Sequence, residues 1–186
     1  MAITFVKEVA ESQSKVAGGT TLVLTVPAAG VAAHNTLVIT FAMDDNAGAV
    51  SLADTAGNTY LILRDNTNAG NARCVIIIAT KIIPLVSGNT ITITHPAATA
   101  RAAICGEFTN VSSTQPGFSQ TASNADLWIA GTGEAPGGGK HTLGVFGAAI
   151  ETPDEIVITN NGVKVGDLGT TGGGAASNML AVLFYQ

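Results

Sequence analysis

The chain has 186 residues, 46% of them hydrophobic and only 11% charged, with a mean hydropathy of +0.38 and a net charge of −5. Its eight basic residues, Lys7, Lys15, Arg64, Arg73, Lys81, Arg101, Lys140 and Lys164, stand singly, so no positive stripe exists to attract a phosphate backbone, which argues against nucleic acid as a partner. No apolar run approaches the roughly 20 residues of a membrane-spanning helix, and the opening MAITFVKEVAESQ lacks the basic and apolar regions of a secretion signal.

In chain order, residues 1–18 read as an N-terminal arm or an edge strand, with ITFVKEV the strand candidate and KEVAESQSKVAG the best, though weak, helical stretch. Residues 19–186 read as a single domain. TLVLTVP sets Leu22, Leu24 and Val26 on one face against Thr21, Val23 and Thr25 on the other. TLVITFAM alternates Leu37, Ile39, Phe41 and Met43 with Thr36, Val38, Thr40 and Ala42, and NTITITH sets Ile91 and Ile93 against Thr90, Thr92 and Thr94. Period two with threonine on the polar side is the pattern of half-buried antiparallel strands. AVSLAD, TYLILRD, ARCVIIIATKI, RAAICGEF, DLWIAGT, HTLGVFGAAI, EIVITN, VKVGDL and MLAVLFYQ complete the set. Turn clusters separate them at the roughly 8–12-residue spacing of β-sandwiches. The expected fold is all-β, a single-domain antiparallel β-sandwich, jelly-roll-like, with about 10–13 strands and long Gly-rich loops at GTGEAPGGGK and GTTGGGAAS.

Two strands break the alternation. CVIIIA and MLAVLFYQ are apolar on both faces, and a doubly apolar strand in a two-layer sandwich needs cover from a loop, a third layer or another subunit. Together with a charged fraction under half the roughly 25% usual for soluble domains, this favours a homo-oligomer. Cys74 and Cys105 lie within apolar strands; they are either joined across neighbouring strands or, as expected for a chain made in the cytoplasm, two buried free thiols.

The acidic stretch DDNAGAVSLADTAGN contains the only candidate metal ligands, Asp44, Asp45 and Asp54. Asp44, Asn46 and Gly48 imitate the start of a calcium loop, but Gly48 offers no ligand and Thr55 stands where a glutamate is required. Turns flanking a short strand explain DDNAG and DTAGN better, since Asp and Asn cap their own backbone and Gly supplies positive φ. No metal and no cofactor are therefore expected. Catalytic patterns fail too. His34, His95 and His141 are dispersed, with no metal-binding pair and no nucleophile elbow, and His34 and His95 read as turn or rim residues. Glu151, Asp154 and Glu155 do not share a strand face, and Trp128, Tyr60 and Tyr185 read as packing residues rather than a sugar platform. The chain is expected not to be an enzyme.

The run VPAAGVAAHNTLVITFAMDD, VSLADTAGNTYLIL, GNTITITHP and then ADLWIAGTGE resembles small jelly-roll virion proteins of tailed bacteriophages, of the capsid decoration (cement) type. The resemblance implies a structural virion protein that stabilises a shell by subunit contacts. It would be a homotrimer seated on the major capsid protein or another virion protein, made in the host cytoplasm and ending in the virion. Two alternatives stand beside it: a carbohydrate-binding or adhesin module using the loops at 44–48, 65–71 and 131–139, and a self-assembling filament subunit.

Overall fold

The protein is described from a computed structural model, which covers residues 4–68, 72–111, 119–121, 127–132, 145–150, 163–171 and 178–185. Among these residues every regular element is a strand: β1 (Thr4–Ser14), β2 (Gly19–Thr25), β3 (Thr36–Asp44), β4 (Ser51–Asp54), β5 (Leu61–Asn68), β6 (Ala72–Ala79), β7 (Thr90–Ala98), β8 (Arg101–Thr109), β9 (Ser119–Thr121), β10 (Leu127–Thr132), β11 (Val145–Ile150), β12 (Val163–Gly169) and β13 (Leu180–Tyr185). The all-β antiparallel fold expected from the alternation is what forms. The weak helical stretch at 7–18 is instead most of the edge strand β1 and its turn, because Lys7 and Glu8 through Ser14 pair along β8. EIVITN lies outside the described residues, and the short β9 had no signal beyond two polar residues and a threonine.

Three sheets stack. The central one has the order β1-β8-β3-β6-β5, one outer sheet β2-β7-β4 and the other β12-β13-β11-β10-β9. Between the central sheet and β2-β7-β4 lies a core of Leu22, Leu24, Leu37, Ile39, Phe41, Val75, Ile77, Ile91 and Ile93. On the opposite face of the central sheet a second core gathers Val38, Ala42, Cys74, Ile76, Ile78, Ala102, Ile104, Phe108, Ala181 and Leu183. The doubly apolar strand β6 is therefore covered by a third layer supplied by the same chain. Period two does the sorting, since odd and even residues of β3, β6 and β8 point to different cores.

This third layer corrects one expectation. The threonine face of β3 was assigned to solvent, yet Thr36 and Thr40 are buried at 1% and 0% exposure. Small residues make the close approach of the third sheet tolerable: a Cβ on Gly106 would sit 3.2 Å from the side chains of Leu183 and Phe108. On β2, by contrast, Leu22 and Leu24 are buried and Thr21, Val23 and Thr25 exposed, as alternation required. The cysteines are free and buried. Cys105 sits opposite Ile39 and Cys74 opposite Ala42, so β3 runs between them and they face different cores. Two strand spacings, about 10 Å, exceed the roughly 7 Å Cα limit for a disulfide. Burial pushes the Cys74 thiol up to about 12 and raises Cys105 as well.

Candidate functional site

Of the candidate metal ligands Asp44, Asp45 and Asp54, which the sequence reads as turn residues, Asp44 and Asp54 lie at opposite ends of β7. Asp44, at the end of β3, accepts the Thr99 and Ala100 amides at 2.7 and 3.1 Å, closing the β7–β8 turn. Asp54 sits opposite Ile91, at the other end of β7. Its Oδ1 accepts the amides of Ala56, Gly57 and Asn58 at 2.9, 2.7 and 3.1 Å, and its Oδ2 accepts Asn58 Nδ2 at 2.8 Å and Tyr60 Oη at 2.7 Å. Burial raises its pKa, but these bonds from Asn58, Tyr60 and the turn amides outweigh that and leave it below the usual carboxylate range. Five positive bond ends converge where a cation would have to sit. Among the described residues no group of three His, Cys, Asp or Glu is placed to hold a metal.

The loop at 44–48 is held from below by Arg73. Its guanidinium pairs with both Asp65 oxygens at 2.7 and 2.6 Å and donates to the Asn46 and Gly48 carbonyls, each at 2.8 Å. Bidentate geometry fixes both position and angle. His34, in its turn at φ 66°, is exposed as expected. His95 is not a rim residue: it is 3% exposed, its ring centroid 5.2 Å from that of Phe41 and its Nδ1 2.7 Å from the Pro96 carbonyl. Burial lowers its pKa, and Arg101 nearby adds to that. Tyr185 packs in a trio with Phe5 and Phe108 at centroid distances of 5.2 and 5.6 Å, and Tyr60 packs against the first core. The side chain of Trp128, and all of His141, Glu151, Asp154 and Glu155, lie outside the described residues.

A concave site does exist, at the end of the sandwich where β1 begins and β8 finishes. A cleft of about 370 Å³ is lined by Val31, Leu85, Val86, Lys7, Asn35 and Glu107, with flanking alanines and Pro84. Its shape comes from two loops bridged at Val31 and Leu85. Gly30 has φ 59°, and a Cβ there would lie 2.7 Å from the Leu85 carbonyl oxygen, so only glycine lets the loops close. Glu107 is 1% exposed. Its Oε1 accepts the Ala32 amide at 2.9 Å and Asn35 Nδ2 at 2.7 Å. Its Oε2 lies 3.4 Å from Lys7 Nζ, with which it is ion-paired, and accepts no hydrogen bond among the described residues. Lys7 Nζ instead donates to the Gly30 carbonyl at 2.6 Å.

No family model, curated protein or solved structure matches this chain. The site must therefore be argued from its own residues. Glu107 and Lys7 were not singled out from the sequence, although a signal was there: in RAAICGEF a glutamate follows an apolar run within a strand that is buried from Arg101 to Phe108. A buried charge of that kind needs partners, and the fold finds them on the 29–35 loop and on β1.

Proposed function

We propose that the protein is a non-catalytic structural subunit of the virion-decoration type, a jelly roll with a third sheet added to one face. The observation that carries this is the strand pairing. Among the first eight strands β1 pairs with β8, β2 with β7 and β3 with β6. A long hairpin wrapped on itself would produce those pairs and distribute the strands between two facing sheets, as in a jelly roll, which supports the reading. Only β5 departs, adding to β6 rather than to β4. Fold alone does not make function; the step to a virion role rests on the likeness of the turn-and-strand sequences described above.

The way polar groups are spent supports the same reading. Asp44, Asp54, Asp65, Arg73 and Arg101 all tie turns and loops to the sheets. Oligomerisation no longer follows from the doubly apolar β6, which its own chain covers. It rests now on the outer face of β2-β7-β4, where Thr21, Val23, Thr25, Thr92, Thr94 and Ser51 form an uncharged surface in register. A second copy of the chain is the partner proposed for it. Native mass spectrometry tests this: a closed oligomer, above all a trimer, that dissociates in Thr92→Lys is the expected result. A wild-type chain that stays monomeric at the highest attainable concentration overturns the assembly reading.

A further inference from the structure

We propose that the cleft at Glu107 binds one ring of a neutral polyhydroxylated ligand, a saccharide unit, by placing a ligand hydroxyl between the Glu107 carboxylate and the Lys7 ammonium. The two oxygens of this buried carboxylate are treated unequally. Oε1 has two donors, Ala32 N and Asn35 Nδ2, while Oε2 has none. A buried acceptor held by a neighbouring charge and by no hydrogen bond still has bonding capacity to spare, and such groups in native interiors call for an explanation. Lys7 covers Oε2 at 3.4 Å without bonding to it and gives its short hydrogen bond to Gly30. With a side chain 30% exposed, Lys7 has room to swing outward.

A hydroxyl is the group that fits between them. Once Lys7 has moved outward, the hydroxyl donates to Oε2 and accepts from Nζ at once, exchanging the direct 3.4 Å ion pair for a hydroxyl-bridged one with two hydrogen bonds. A ligand ammonium would meet Lys7 and a ligand carboxylate would meet Glu107, and the opposed charges leave the pair near neutral as seen from the cleft. The rest of the lining is apolar, with Val31, Pro84, Leu85 and Val86 offering methyl and methylene groups to the C–H face of a ring. The volume of about 370 Å³ stands at the small end of the roughly 300–1,000 Å³ usual for ligand clefts, enough for one ring and not for a chain. Among the described residues no aromatic side chain lines the cleft, so affinity is expected in the millimolar range rather than below it. The site lies at the end of the sandwich and does not depend on the assembly reading.

The test is a titration of the full chain, methyl-labelled at Val and Leu, followed by carbon–proton correlation spectra. The probes are methyl α-D-mannopyranoside and methyl β-D-galactopyranoside, with methylammonium chloride and sodium acetate as charged controls. The expected result is saturable movement of the Val31, Leu85 and Val86 methyls, and of those of Val6, which also lines the cleft, with a glycoside at about millimolar concentration, and about tenfold weaker binding in Lys7→Met. Three results overturn the proposal: no saturable movement with either glycoside, saturation by methylammonium at lower concentration than by the glycosides, or unchanged glycoside binding in Lys7→Met. Should Lys7→Met fail to fold, the wild-type titration decides alone.

Discussion

Replacing Asp54 by alanine removes five hydrogen bonds from one turn, and its cost can be worked from their surroundings. Bonds to a charged acceptor contribute about 1.5–3 kcal/mol each when buried. Here the Gly57 amide is exposed and the Ala56 and Asn58 amides only partly buried, so water replaces much of what they lose. Loss of a comparable backbone-capping side chain at a helix end costs about 0.5–2 kcal/mol. Tyr60 Oη, held at 2.7 Å in partly buried surroundings, rehydrates less well. Asn58 also links this turn to Ile83, donating to its carbonyl at 3.1 Å and accepting its amide at 2.6 Å, so a loosened Asn58 weakens a second loop. The sum is about 3 kcal/mol, or a Tm lower by roughly 6–12 °C for a chain of this size. Urea denaturation followed by circular dichroism measures it. The pH dependence has a fixed sign. The Asp54 pKa is depressed in the folded state, so its stabilisation is complete above the unfolded value of about 3.9 and is lost as pH falls through the folded value. The gap between wild type and Asp54→Ala should therefore be full at pH 7 and narrow below about pH 4. A loss at pH 7 within about 0.5 kcal/mol, the range of an ordinary surface substitution, would refute the reasoning. The same five donors predict that calcium leaves the wild-type Tm unchanged.

His95 gives the same sign in a higher pH window. Its pKa is lowered by burial, so the unfolded chain takes up the proton first and stability falls as pH drops below about 6.5; His95→Gln should flatten that part of the stability–pH curve. Gly30 and Gly57 separate backbone strain from collision: both have positive φ, but only at Gly30 does a Cβ meet an atom, the Leu85 carbonyl at 2.7 Å, and at Gly57 nothing lies within 4 Å. Gly57→Ala should cost about 1 kcal/mol and Gly30→Ala clearly more, measured by the same urea titration. Glu107→Ala leaves the Ala32 amide and the Asn35 amide group without an acceptor and should cost about 3 kcal/mol or more; a loss under about 1 kcal/mol would show the network to be open to water. A thiol reagent should find Cys74 and Cys105 unreactive in the native protein and both reactive in denaturant without reductant, since they are buried and unpaired.

What the sequence disclosed and what it hid divide along a physical line. Alternation reports how many faces of a strand are apolar, and so β2 and β7 were legible: one apolar face, one threonine face, one layer of cover. It does not report what covers the second face of a strand such as β6, because a third sheet and a second subunit remove the same area from water. Even the threonine rule failed on β3 for that reason. Thr36 and Thr40 have the β-branched shape that packs against a sheet, and once the third layer approaches, shape decides and the hydroxyl is buried with it, leaving Thr40 Oγ1 without a hydrogen-bond partner among the described residues. The aspartates of DDNAGAVSLADTAGN were legible as turn residues because a turn is local: Asp54 satisfies amides two to four residues away. Glu107 was hidden because its partners are not. Ala32 and Asn35 lie 75 and 72 residues away along the chain, and Lys7 belongs to the first strand. A lone glutamate in an apolar strand announces that a partner must exist; only the closure of β1 and the 29–35 loop over the end of β8 says which. The cleft is a product of that long-range closure, so the residues that shape it carry no motif. Its chemistry has to be read from the unequal partners of one carboxylate.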